Sequence, residues 1–159
     1  MRVSLSPLEL RQAELIGRGR VGRANAKGYR HRYGGAPPGD VEAANVAAAA
    51  AEMAVAKALN VYWADRSELD YDGDVGAYHV RHTLHASGGL ILHPTDPGDA
   101  VFVLARGGPP TFDLAGWILA RDGKRPEWWQ TRTGRPCFIV PAAALEPMAY
   151  LETAARVAG

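Results

Sequence analysis

Residues 41–60, VEAANVAAAAAEMAVAKALN, leave the backbone little choice. Alanine, the strongest helix former, dominates the stretch, and Asp40 just ahead of it is a good N-cap. The sequence predicts a helix from Val41 to Asn60. Val41, Ala48, Val55 and Leu59 fall at spacings of seven, seven and four, which places them on one helical stripe. Glu52 lies in that stripe, four residues after Ala48 and three before Val55. Burying an unpaired carboxylate is expensive. Glu52 is therefore either a boundary residue that reaches solvent or an arginine, or a carboxylate held at the rim of a site by a rigid helix.

A second stretch, DYDGDVGAYHVRHTLH at 70–85, has strand character. An acidic turn delivers Asp74 and leads into alternating residues. Positions i, i+2 and i+4 of a strand share a face. His79, Arg81, Thr83 and His85 thus point one way, and Val80, His82 and Leu84 the other. His79 and His85 are about 20 Å apart along a regular strand at ~3.3 Å per residue, too far to share one ion. His82, beside Val80 and Leu84, is expected to be a hydrogen-bonded, partly buried histidine.

The N-terminal part reads as helix followed by a basic arm. Ser6, Pro7 and Glu9 have the spacing of a capping box with proline at the first helical position. The helix is expected to run to about Ile16 and to continue only weakly through Gly17, Gly19 and Gly22, since glycine costs helix stability. Residues 18–32 carry Arg18, Arg20, Arg23, Lys27, Arg30 and Arg32 with no acid. This arm, about 17–39, suits phosphate contacts along a nucleic-acid backbone; the competing reading is a solvated basic segment. Gly34-Gly35-Ala36-Pro37-Pro38-Gly39 breaks the chain before the alanine helix.

Beyond His85, Leu90–Leu92 is a short apolar strand, and Asp96-Pro97-Gly98 is a turn. Residues 100–105 form a continuous apolar run, the mark of a strand buried on both faces. Thr111–Ala120 is a further strand, bent at Gly116, and Phe138–Val140 another. Short turns between them suggest an antiparallel meander. Trp128 and Trp129 are expected to pack a long loop onto the sheet, with base stacking the alternative. Pro141–Ala158 reads as a closing helix or helical turn.

With 159 residues, 47% of them hydrophobic and 22% charged, the chain suits one globular domain spanning 1–159. A net charge of +1 gives no global signature of a nucleic-acid partner, so any basic patch is local. The single cysteine, Cys137, excludes an intrachain disulfide framework and a cysteine-based zinc site, and fits a reducing, cytoplasmic compartment. No signal peptide or membrane span is expected. Walker A, HExxH and GxSxG motifs are absent. Gly17 to Gly22 spells G-x-G-x-x-G, but no strand precedes it.

Three segments carry a family resemblance: AAAAAEMAVAKALNVYW at 47–63, GDVGAYHVRHT at 73–83 and AGWILARDGK at 115–124. Over roughly residues 40–125 the chain resembles the PD-(D/E)xK nuclease-like superfamily, in a form similar to small phage proteins. The resemblance implies an α/β (α+β) fold, restriction-endonuclease-like, with a central mixed sheet flanked by helices. It implies metal-dependent hydrolysis of DNA phosphodiesters, with Mg2+ or Mn2+ as the ion. Glu52 matches the helical glutamate of the family and Asp74 its motif aspartate. His79 and Arg81 stand at the (D/E) and lysine positions. By this correspondence Glu52, Asp74 and His79 hold the cation and Arg81 steadies the scissile phosphate. His79 is a departure, because histidine suits transition metals better than magnesium. Arg81 is another, because arginine stays charged and makes a poor base. The alternative is a nucleic-acid-binding or protein-interaction module that keeps the fold without cutting. The partner is nucleic acid, DNA in the first instance; a homo-oligomer is left open, and a viral chain would work in the host cytoplasm.

Overall fold

The apolar run at 101–105 becomes the inner strand on which the rest is laid. In a computed structural model of the chain, which describes residues 1–26, 40–65, 73–131 and 135–151, this strand is β4 (Val101–Gly108). It shares a sheet with β1 (Arg2–Ser4), β2 (Tyr78–Thr83) and β5 (Thr111–Leu119), in the order β1-β5-β4-β2. A second sheet, in the order β3-β7-β6, contains β3 (Leu90–Leu92), β6 (Trp129–Gln130) and β7 (Cys137–Val140). The helices are α1 (Pro7–Ala26), α2 (Val41–Leu59) and the short α3 (Ala120–Gly123). The molecule is therefore α+β with a mixed sheet at its centre.

Alternation along β4 fills two cores. Val103 and Ala105 face α1 and α2, together with Phe112 and Leu114 of β5 and the alanines of α2. Phe102 and Leu104 face the other way, where Leu90, Leu92 and Val140 of the second sheet cover them. Burial on both faces is what the unbroken apolar run encodes. Helices thus lie on one face of the large sheet and the small sheet on the other.

The strand order corrects the expected meander. β4 and β5 are antiparallel neighbours, but β2 runs parallel to β4, with His79 opposite Phe102 and Val80 opposite Val103. The intervening β3 leaves the large sheet to pair with β7, so the chain returns to β4 by a crossover, as parallel pairing requires. The expected bend at Gly116 is present. The β4–β5 register shifts there, because Leu104 faces Gly116 while Ala105 faces Leu114. Gly116 has φ +146°, and a Cβ on it would lie 2.5 Å from the Glu146 carbonyl oxygen.

Both long helices start as expected. Ser6 N–H donates to Glu9 Oε2 (2.6 Å) and Glu9 N–H to Ser6 Oγ (3.3 Å), a reciprocal cap. Asp40 Oδ1 accepts from the N–H groups of Glu42 and Ala43, and Asn60 closes α2 in a left-handed conformation. Unlike the expected arm, the chain from 17 to 26 continues α1. Gly17 permits this: its Cβ would fall 2.5 Å from Val46 Cα, so the two helix backbones meet where only glycine fits. Residues 27–39 lie outside the described part. Trp128 packs against the second core, and Trp129 sits on Phe138 with ring centroids 4.8 Å apart. Of the expected C-terminal helix, 148–151 is helical and 152–158 lies outside the described residues. No helix among the described residues is long and apolar enough to cross a membrane.

Candidate functional site

β2 is an edge strand of the large sheet, and Asp74 is built into that edge. The turn before β2 folds back so that Asp74 and Val75 donate their N–H groups to the Tyr78 carbonyl, at 2.8 and 3.0 Å. Asp74 Oδ2 then accepts from the Val80 N–H at 2.7 Å. The carboxylate terminates the strand edge, satisfying a donor that no neighbouring strand reaches.

Beyond Asp74 the two faces of β2 separate as the alternation predicts. Tyr78 and Val80 pack into the helix-side core. His82 follows them: its ring nitrogen donates to the Gly107 carbonyl at 2.6 Å and its edge meets the Phe112 ring. His79 and Arg81 turn to the opposite face. His79 stacks on Phe102, centroids 4.7 Å apart and planes 17° off parallel. The Arg81 guanidinium carbon lies 4.8 Å from the centre of the same ring, a cation–π contact.

This face opens into a cleft of about 1060 Å³ between β2 and the second sheet. His79, Arg81, Thr83, His85, His93 and Thr95 supply its polar lining, and Ile91, Leu104 and Ile139 the apolar part. Asp96 is the one carboxylate among the described lining residues. It is held by Arg81 Nη2 at 3.0 and 3.1 Å, while Arg81 Nε donates to the Ile91 carbonyl at 3.2 Å. Arg81 thus ties the edge of one sheet to the edge of the other. Asp96 Oδ2 also accepts from the His93 N–H at 2.8 Å, and Lys124 Nζ donates to the Pro94 carbonyl (2.9 Å) and the Asp96 carbonyl. At the other end Arg106 Nε donates to the Gly88 carbonyl at 2.8 Å. Burial, and then the charge of Arg81 with a smaller push from Arg135, lowers the His93 pKa below the usual histidine value, and Asp96 opposes this in part.

Glu52 is elsewhere. It lies on α2, on the helix side of the large sheet, with a side chain 9% exposed. Arg20 Nη1 and Nη2 donate to its two oxygens, both at 2.7 Å, and Trp63 Nε1 to one of them at 3.3 Å. Arg20 Nε also donates to Asp65 at 3.1 Å, and Arg23 pairs with the other Asp65 oxygen. Burial pushes the Glu52 carboxyl up, and Asp74 adds to it, while Arg20 pulls it down. Burial also works against the charge on Arg20, but Glu52 and Asp65 outweigh it and hold the guanidinium firmly protonated. The pair is a buried, bidentate salt bridge.

These placements revise the expected metal centre. Glu52 and His79 occupy opposite faces of the large sheet, and Asp74 at its edge spends one oxygen on Val80. Among the described residues no three His, Cys, Asp or Glu side chains group to hold a metal ion. Mg2+ and Mn2+ require several oxygen donors around one point, and here both oxygens of Glu52 belong to a guanidinium. The set Glu52, Asp74 and His79 does not fit the ion. The basic arm is revised as well. Arg20 and Arg23 are paired as above, and Arg18 pairs with Glu14 and Glu42, each at 2.8 Å. Lys27, Arg30 and Arg32 lie outside the described residues.

His93, Thr95 and Asp96 escaped the sequence reading as site residues. PTDPG at 94–98 reads as a turn, but nothing local announces that this turn and the adjoining His93 face His79 and Arg81. No family model matches the chain, and no match is found among curated proteins or among solved structures.

Proposed function

We propose that the protein is a nucleic-acid-binding module on a restriction-endonuclease-like framework, that its ligand is the backbone of DNA, and that the cleft between the two sheets is where the backbone lies. The charge distribution of the cleft carries this reading. The carboxylate of Asp96, the one among its described lining residues, is neutralised by Arg81. Arg106 and Lys124 are held at the rim of the cleft by backbone carbonyls, Arg135 acts electrostatically on His93, and His79, His85 and His93 add ring nitrogens. Cations of fixed position around polar donors suit a chain of phosphates. Binding rather than cutting is favoured because Glu52 is committed to Arg20 on the far side of the sheet.

A labelled single-stranded oligonucleotide followed by fluorescence anisotropy tests this. Arg106, Lys124 and Arg135 together correspond to a salt slope of about −2 on a single strand, so affinity should fall roughly 15–20-fold between 50 and 200 mM salt. His85→Glu places a negative charge at the exposed mouth of the cleft and should weaken binding about fivefold or more. Salt-insensitive binding, or binding indifferent to His85→Glu, would remove the cleft as the interface.

A further inference from the structure

We infer that the cleft takes up a proton from solvent when it binds a phosphodiester, with the His93 imidazole as the acceptor. The inference rests on the proposed binding of nucleic acid in the cleft and adds to it how that binding is regulated.

The geometry supplies the reasons. His93 follows β3 directly and is fixed at its backbone, where its N–H donates to Asp96 Oδ2 at 2.8 Å. The turn that carries it is anchored by Lys124 through the carbonyls of Pro94 and Asp96. His93 therefore lines, from an anchored turn, a cleft whose opposite wall carries Arg81 and His79, with His85 further along. Among the described residues, charged groups from three places act on His93. Arg81 on β2 and Arg135 before β7 disfavour the imidazolium, Asp96 on its own turn favours it, and Asp96 is shared with Arg81. Partial burial also disfavours the charged ring. Without ligand, burial and then the charges of Arg81 and Arg135 outweigh Asp96 and favour the neutral ring.

A phosphodiester changes the balance. It carries one negative charge and does not itself titrate near neutrality. Lying between Arg81 and His93, it offsets the repulsion from Arg81 that adds to burial in favouring the neutral ring. The imidazole then binds a proton and becomes a second charged donor to the phosphate oxygen. No other bond forms or breaks. By linkage, a group that gains a proton on binding makes affinity rise as pH falls.

Titration calorimetry of the full chain with a single-stranded oligonucleotide lacking terminal phosphates, in buffers of different ionisation enthalpy, counts the protons. The expected result is uptake of about 0.5–1 proton per complex near pH 6.5, with affinity rising about three- to tenfold from pH 8 to pH 5.5. His93→Gln should flatten the pH profile. In the wild type, the His93 ring resonances should titrate at higher pH with the oligonucleotide than without it. Salt-sensitive binding without proton uptake overturns the inference and leaves the nucleic-acid reading standing. A pH profile retained in His93→Gln also overturns it. Binding of a nucleoside monophosphate as tight as that of the oligonucleotide overturns the phosphodiester assignment. No binding at any pH overturns both readings.

Discussion

Replacing Arg20 by methionine is the sharpest test of how the acidic side of the protein is built. Arg20 gives Glu52 two hydrogen bonds of 2.7 Å, and the two side chains are only 15% and 9% exposed. Arg20→Met leaves a buried carboxylate with Trp63 Nε1, at 3.3 Å, as its remaining hydrogen-bond donor from those contacts. Removing one partner of a buried ion pair costs about 3–5 kcal/mol. For a chain of this size each kcal/mol shifts Tm by about 2–4 °C, so a fall of roughly 6–20 °C is expected in a thermal melt at pH 7. Urea unfolding should show the same loss in free energy. The double variant Arg20→Met with Glu52→Leu removes both charges, and apolar replacement of a whole pair is often neutral or better. It should return to within about 1 kcal/mol of the wild type. The pH dependence gives an internal check. Burial raises the Glu52 pKa above 4.5, so the folded state binds a proton more readily than the unfolded one. Stability from this group is greatest at acid pH and is lost as pH rises through the folded value. In Arg20→Met the destabilisation should therefore shrink as pH falls from 7 toward 4.5. A cost below about 1 kcal/mol, or a double variant as damaged as the sum of the singles, would refute the buried-pair account.

Two glycines of α1 should respond with opposite signs. Gly22→Ala meets nothing within 4 Å and should stabilise the protein by about 0.5–1 kcal/mol through helix propensity, whereas Gly17→Ala drives a methyl group to 2.5 Å from Val46 Cα and should cost about 1–3 kcal/mol despite the same propensity gain; equal effects in urea unfolding would refute the helix contact. Lys57, then the Ser6 N–H, holds the Glu9 carboxyl down at about 2. Its contribution is present above pH 4.5 and lost as pH falls toward 2, so Glu9→Gln should destabilise by about 1 kcal/mol or less at pH 7, with the gap from wild type closing by pH 2 in the same unfolding assay.

What the sequence discloses here is local. The alanine content and Asp40 define α2, and Ser6 with Glu9 define the start of α1. Alternation at 79–85 is enough to send His82 to the helix side and His79 with Arg81 to the other. The remaining features depend on residues far apart in the chain. Arg2–Ser4 is too short to declare a strand until β5 offers it an edge. Gly17, Gly19 and Gly22 read as helix breakers because the contact of Gly17 with Val46 lies 29 residues away. Arg20 and Arg23 look free for phosphate because their carboxylates, Glu52 and Asp65, come later in the sequence, as does Glu42, one of the two partners of Arg18. Glu52 did appear as an anomaly in its stripe, and one of its two readings, pairing with an arginine, is what the structure adopts. The cleft was half visible. β2 supplies one wall, but the opposite wall requires β3 to leave the large sheet, which no single segment encodes.

The most direct test of the central claim is one titration of a labelled DNA strand, performed in EDTA and repeated with Mg2+ and with Mn2+, with the strand then run on a denaturing gel. The account predicts a salt-sensitive complex of the same affinity in EDTA and an intact strand with either ion. A strand that is cut in the presence of metal, with cutting lost in Asp74→Ala, would contradict it and restore the metal-dependent nuclease. The absence of any complex would contradict it from the other side.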